Sequence, residues 1–98
     1  MLANRTLERQ GRDVIVDAPV KKALVFTMEG NVDGEAALAF FQARGVAVDV
    51  RDVGKDPQAS QDLFARAGRL GVPTVVLGER VFDGFGAHRE EIEALLRD

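Results

Sequence analysis

The sequence predicts an α/β domain in which elements follow the order β-α-β-α-β-β-α from residue 22 onward. The continuous apolar run over 23–28 has the composition of a strand that is buried on both faces. A helical segment separates it from a second strand, so these two strands must lie parallel. Gly78-Glu79 is a tight-turn signal that joins the last two strands in an antiparallel hairpin. The result is a four-stranded mixed sheet flanked by helices.

The first helix is predicted over 35–44, after a loop over 29–34. Leu38 and Phe41 mark its inward face, and Gly45 follows it in the position where glycine commonly ends helices. Apolar and polar residues then alternate over 46–51, which is typical of a strand with one solvated face at a sheet edge.

The second helix opens at Asp56-Pro57, because aspartate is a good N-cap and proline suits the first helical turn. Its apolar stripe comprises Ala59, Leu63, Phe64 and Ala67. Strands are predicted over 72–77 and 80–82, the first with a proline near its start, where a strand tolerates one. The last helix spans 88–97, with Glu93 on its outer face and Ile92, Leu95 and Leu96 facing inward.

The domain organisation is predicted as a leader over 1–20 and one globular domain over 21–98. The chain has 98 residues, of which 46% are hydrophobic and 30% charged, enough for one core. Within the leader, Leu2 and Leu7 suggest a short helix and the apolar run over 14–16 a short strand.

Composition excludes several classes of function. A net charge of −3 leaves no basic excess for nucleic acid, and no apolar run approaches the roughly 18 residues of a membrane span. The first residues lack the apolar core of a secretory signal, so we expect a cytoplasmic protein. There is no cysteine and one histidine, His88, which we interpret as a solvated residue. We therefore predict no metal site and no cofactor.

Several short segments together resemble a known family. The apolar strand ends in Phe26-Thr27, Gly71-Val72-Pro73-Thr74 precedes a later strand, and Asp83-Gly84-Phe85 precedes the last helix. In this order and spacing, residues 22–97 resemble a glutaredoxin of the thioredoxin-like superfamily. The resemblance implies the thioredoxin-like fold, a Cys-x-x-Cys loop at the start of the first helix, and a cis peptide bond before Pro73.

The chain departs from the family at that loop, where it reads Asn31-Val32-Asp33-Gly34. Asn31 stands in place of the nucleophilic cysteine and Gly34 in place of the resolving one. Disulfide chemistry requires a thiolate, so neither the dithiol nor the monothiol reaction is open to these residues, and we predict no catalytic residue. If the register is right, cysteines introduced at both positions would form a disulfide.

The same loop also has a purely structural interpretation. Asn31 is a good helix N-cap, and Asp33 and Glu35 suit the positive end of a helix. Together with Glu29, these carboxylates should repel anionic glutathione, so we expect glutathione to bind weakly or not at all. Pro73 is equally well explained as a rigid bend and as part of a peptide-binding edge.

Three functional hypotheses remain. The first is a non-catalytic module that binds a protein or peptide in a groove formed by the degenerate loop Asn31–Gly34 together with Val72, Pro73, Thr74, Gly84 and Phe85. The second is a member of an active thiol-disulfide oxidoreductase family whose cysteines have been replaced. The third is an interaction or dimerisation domain that uses the sheet edge at 46–50 or the leader.

Overall fold

A computed structural model describes residues 22–96, and their elements follow the predicted order. The strands are β1 (Lys22–Thr27), β2 (Ala47–Asp52), β3 (Thr74–Leu77) and β4 (Arg80–Asp83). The helices are α1 (Val32–Ala43), α2 (Pro57–Ala67) and α3 (Arg89–Leu96), and a 3-10 turn at Gly86–His88 precedes α3. The predicted leader, with its short helix and its strand at 14–16, lies outside the described residues.

The four strands form one mixed sheet in the order β2-β1-β3-β4. β1 pairs parallel with β2, in a register that runs from Lys22 opposite Ala47 to Thr27 opposite Asp52. β3 pairs antiparallel with both β1 and β4. This confirms the predicted four-stranded mixed sheet, and it places the apolar strand β1 at an interior position.

Alternate residues of the strands face the two sides of the sheet, and α1 and α3 cover one of them. Val25 of β1, Val75 of β3 and Phe82 of β4 belong to the buried cluster on this side. The helices and the loop before α3 contribute Phe41, Ile92 and Phe85 to the same cluster. We call this side of the sheet the aromatic face.

α2 covers the opposite side, which we call the α2 face. Its buried cluster consists of Phe26, Leu63 and Val76, with a few partly buried neighbours. Phe64, predicted to belong to the apolar stripe of α2, is instead 58% exposed. Leu63 already points at the sheet, and the next residue lies about 100° further round a helix with 3.6 residues per turn.

Two predicted element starts differ from the structure by more than one residue. α1 begins at Val32 rather than at residue 35, because Asn31 caps the helix three residues earlier. β3 begins at Thr74 rather than at Val72, since proline has no N–H to offer a strand ladder. Gly45, with a φ of +72°, follows the end of α1 as predicted.

The sequence suggested that Glu93 lies on a purely solvated face of α3, but in the structure it contacts α1. Its carboxylate accepts a hydrogen bond from the Arg44 guanidinium, with Nη2 and Oε2 2.8 Å apart. The Arg44 guanidinium also lies 3.8 Å from the centre of the Phe40 ring. The ion pair therefore joins the end of α1 to α3 over the aromatic cluster.

Within residues 22–96, no helix is both long enough and apolar enough to cross a membrane.

Candidate functional site

Three loops lie at one end of the sheet. β1 and β4 finish at this end and β3 begins there, as the strand pairings require. The loops contain residues 31–34 at the start of α1, residues 72–74 before and at the start of β3, and residues 84–86 after β4. We call these residues the three-loop site; together they include every residue that the sequence analysis assigned to the candidate groove.

Asn31 occupies the N-cap of α1. Its side-chain Oδ1 accepts a hydrogen bond from the Gly34 N–H at 2.6 Å, and its backbone is extended with φ −78° and ψ 110°. A side-chain oxygen in this position satisfies one of the N–H groups that the first helical turn leaves unpaired. This geometry supports the structural interpretation of Asn31, which is that it caps α1.

Gly34 lies buried in the first turn of α1, directly against Thr27 at the end of β1. A Cβ atom at Gly34 would overlap the Thr27 Oγ1 atom and would lie 3.1 Å from Asn31 Oδ1. The expectation that cysteines at positions 31 and 34 would form a disulfide does not fit this packing, because any side chain at 34 must displace Thr27. The Thr27 hydroxyl is itself buried and has no hydrogen-bond partner among the described residues.

Asp33 connects the first loop to the third. Its Oδ2 accepts a hydrogen bond from the Phe85 N–H at 2.9 Å, and its Oδ1 accepts one from the Gly86 N–H at 3.1 Å. The sequence suggested only that Asp33 suits the dipole of α1. Its partners are 52 and 53 residues away along the chain, and no local pattern could indicate them.

Phe85 contributes its ring to the core and its backbone N–H to the three-loop site. The residue is 2% exposed, and its ring lies 5.1 Å from the Phe40 ring, inside the aromatic cluster. Its backbone N–H donates to the Asp33 carboxylate in the first turn of α1. The predicted groove residue therefore contributes an amide rather than a side chain.

Two hydrogen bonds shape the middle loop, one within it and one to the third loop. The buried Thr74 hydroxyl donates to the Gly71 carbonyl at 2.8 Å, so its side chain is committed to this turn. The Pro73 carbonyl accepts from the Gly84 N–H at 2.9 Å, which ties the second loop to the third. The Val72–Pro73 peptide bond is cis.

Val72 is half-buried, and its backbone makes no hydrogen bond to any other described residue.

Exposed apolar side chains lie on these loops or next to them. Val32, in the first turn of α1, is 80% exposed. Met28 precedes the first loop and Leu70 precedes the second, and both are also exposed. An apolar side chain as exposed as Val32 is suited to contact with a partner, although single exposed apolar residues are common.

Two of the charges around the site are paired. Glu29 lies 3.0 Å from Lys55, and Asp83 lies 2.9 Å from Arg69. The sequence alone predicts that Glu29, Asp33 and Glu35 form one repulsive group. In the structure their repulsion of an anion is weaker than that, because Glu29 faces the Lys55 cation and the Asp33 carboxylate is bonded to two amides.

Among residues 22–96, no group of three or more histidine, cysteine or acidic side chains could hold a metal ion. His88 lies at the end of the 3-10 turn, where its Nδ1 atom is 2.9 Å from the Glu91 carboxylate. Its ring also packs 5.5 Å from the Phe82 ring. Both contacts are local to α3 and β4, and neither involves the three-loop site.

Comparison with known proteins agrees with this architecture. A family model described as Glutaredoxin matches residues 23–82. No curated protein matches the sequence.

Solved structures resemble the whole domain. The glutaredoxin of Archaeoglobus fulgidus is 20% identical, with a TM-score of 0.67 over 90% of this chain and 99% of that one. The thioredoxin-like protein BC3987 is 28% identical, with a TM-score of 0.68 over 76% of this chain and 99% of that one. A buckwheat glutaredoxin, described as a complex with glutathione, is 17% identical, with a TM-score of 0.59 over 76% of this chain and 74% of that one. At such low identity the glutaredoxin structures bear on the fold alone.

Proposed function

Because the chain belongs to the glutaredoxin family and contains no cysteine, we propose that it is a non-catalytic binding module. In this proposal the three-loop site holds an extended segment of a peptide or protein. The observation that carries it is that the open backbone of Val72 and the exposed side chain of Val32 lie on loops at the same end of the sheet.

The absence of thiol chemistry follows from the residues at the start of α1. Thiol–disulfide exchange proceeds through attack by a thiolate and a mixed-disulfide intermediate. Asn31 carries an amide that is committed to capping α1, and Gly34 carries no side chain. Neither group can form the covalent intermediate, so we expect no disulfide reductase turnover with glutathione or with a dithiol donor.

Val72 supplies the polar half of a peptide-binding edge. An extended peptide can add to exposed main-chain groups by forming a short ladder of hydrogen bonds, while side chains beside the ladder provide specificity. The N–H and C=O groups of Val72 make no bond to the other described residues, which leaves both open to such pairing. The half-buried Val72 side chain and the buried Pro73 hold this backbone in place.

Val32 supplies an apolar contact for the same segment. Its side chain lies in the first turn of α1, one residue from the Asn31 cap and from Asp33, which bonds to the third loop. An apolar side chain of the partner would remove Val32 from water at a favourable free energy of about 25 cal/mol per Å² of apolar area.

Selection of peptides from a random display library, followed by titration of the isotope-labelled protein, tests this proposal. We expect the selected peptides to shift the amide resonances of the three-loop site. Val32→Asp should weaken binding by at least roughly tenfold, the equivalent of about 1.4 kcal/mol. Val81→Asp is the matched control, because Val81 is an exposed valine on the outer strand β4. Equal binding by the two variants would refute the assignment of the site.

A reductase assay of highly purified protein tests the non-catalytic part separately. Glutathione should be tested as a ligand at the same time, by calorimetry, and we expect weak binding or none. Turnover above that of a heat-denatured control that persists through purification would contradict the proposal.

A further inference from the structure

We propose that Asp33 determines the charge of the segment that the three-loop site accepts, by filling the carboxylate-binding amides of the site with its own side chain. This inference rests on the proposed function. It follows from the pair of hydrogen bonds that the Asp33 carboxylate accepts from the Phe85 and Gly86 N–H groups.

The third loop is shaped to receive a carboxylate. Gly84 and Gly86 flank Phe85, and neither carries a side chain that would keep the carboxylate away. A Cβ atom at Gly86 would lie 3.2 Å from Asp33 Oδ1, and one at Gly84 would lie 3.8 Å from Oδ2. The buried Phe85 ring anchors the loop in the aromatic cluster, so the two N–H groups stay directed at the same point.

The amide pair is therefore a carboxylate site whose occupant belongs to the chain itself. Hydrogen bonds from N–H groups to an ionised carboxylate are shorter and stronger than those between neutral groups. An acidic side chain of a bound segment would have to displace Asp33 and would meet its negative charge.

A cationic side chain of a bound segment would instead be attracted by the Asp33 carboxylate. A carboxylate offers about four lone-pair positions, and the two amides use only part of them. The neighbouring acids Glu29 and Asp83 already face Lys55 and Arg69. Asp33 and the exposed Glu35 are then the charges that a lysine or arginine of the segment would meet first.

The test uses three blocked peptides that differ only in a central lysine, glutamine or glutamate, built on a sequence selected against the wild-type protein. For the wild type we expect the lysine peptide to bind roughly tenfold more tightly than the glutamate peptide. In Asp33→Ala the order should reverse, because the freed amides can receive the glutamate carboxylate. Glu35→Ala is the matched control: it removes one charge from the same helical turn and leaves the amides occupied, so the lysine peptide should remain the tightest.

An unchanged order in Asp33→Ala, or the same reversal in Glu35→Ala, would overturn the inference. Failure of all three peptides to bind any variant would instead overturn the proposed function.

Amide hydrogen exchange tests the role of Asp33 without any peptide. We expect the Phe85 and Gly86 amides to exchange slowly in the wild type and faster in Asp33→Ala. Asp33→Asn retains an acceptor oxygen and should keep an intermediate rate, which provides a second variant if Asp33→Ala is poorly folded. Equal exchange rates in the wild type and both variants would show that the carboxylate does not occupy these amides.

Discussion

The two faces of the sheet bury apolar clusters of very different size. On the aromatic face, the rings of Phe40, Phe41 and Phe85 lie within 5.1–6.3 Å of one another, and α3 adds Ile92 beside them. The α2 face buries a much smaller apolar cluster around Phe26 and Leu63.

An ion-pair network closes the rim of the α2 face. Arg51 of β2 lies 3.0 Å from Asp62 of α2 and 3.5 Å from Asp56, the N-cap of that helix. Its guanidinium is 6.0 Å from the centre of the Phe26 ring. These ion pairs lie beside a small apolar cluster, whereas the Arg44–Glu93 pair on the aromatic face lies over a large one.

The difference indicates where the stability of the domain resides and where the three-loop site is anchored. Burial of apolar area stabilises in proportion to that area, whereas exposed ion pairs contribute about 0–1 kcal/mol. Phe85 places its ring in the aromatic face and its amide in the site, and Asp33 lies in the first turn of α1, which helps to cover this face. The candidate binding surface therefore depends on the stronger of the two faces.

The largest expected effect comes from truncating the same type of residue at a buried position of the aromatic face and at an exposed position of α2. Phe41→Ala should reduce the free energy of unfolding by about 3–5 kcal/mol, because it leaves a cavity in the aromatic cluster. Phe64→Ala makes the same change at an exposed position of α2 and should stay within about 0.5 kcal/mol of the wild type. Denaturant midpoints that ranked these two variants in the opposite order would break the comparison.

The contact between Gly34 and Thr27 gives the next largest effect. Gly34→Ala should cost about 1–3 kcal/mol, as overpacking of a well-filled site does. The cost should fall in a Thr27→Ala background, because the hydroxyl that the new Cβ would meet is then absent. A double-mutant cycle measured by chemical unfolding checks this coupling. Additive effects of the two changes would mean that α1 and β1 do not approach each other as closely as the structure has them.

The Asn31 cap is expected to contribute less. Asn31→Ala should cost about 0.5–2 kcal/mol, because the Gly34 N–H loses its acceptor. Asn31→Asp retains an acceptor at the same place and should remain near the wild-type midpoint. Thermal or chemical unfolding separates the two. If the aspartate variant were as unstable as the alanine variant, the local cap would not be what holds the start of α1.

The smallest expected effect is the pH dependence of the ion pairs on the α2 face. The hydrogen bond from Gln58, together with the nearby Arg51, lowers the pKa of the Asp62 carboxyl from its ordinary value. Its contribution to stability is therefore present above the ordinary carboxyl pKa of about 3.9 and is lost as the pH falls through the lower pKa of the folded state. We expect the small advantage of the wild type over Asp62→Asn to disappear across that window. An advantage that persisted below it would contradict the assignment.

Much of the fold could be predicted from local patterns in the sequence. The apolar run of β1, the Asp56-Pro57 start of α2 and the glycine after α1 each act within a few residues, so their roles can be interpreted without the rest of the chain. The resemblance to glutaredoxins rested on the order of such segments, and the family model bears it out. The start of α1 was predicted three residues late, although the capping potential of Asn31 was visible.

The candidate site could be predicted only in part. Its residues were identified from the resemblance, but the roles of Phe85 and Asp33 were not, because they depend on contacts between distant parts of the chain. Phe64 shows the same limit, since its apolar character gave no sign of which way α2 would face.

What the sequence determined by itself is the set of chemical groups and the order of the elements. Without a cysteine the chain carries no thiol, whatever its fold, and the spacing of its apolar residues indicates which segments become strands and helices. Only the tertiary structure decided that the Asp33 carboxylate meets the Phe85 and Gly86 amides and that Gly34 leaves no room for a side chain beside Thr27. The physical reason is that these contacts have short range in space, and folding brings together atoms whose separation along the chain carries no trace of that proximity.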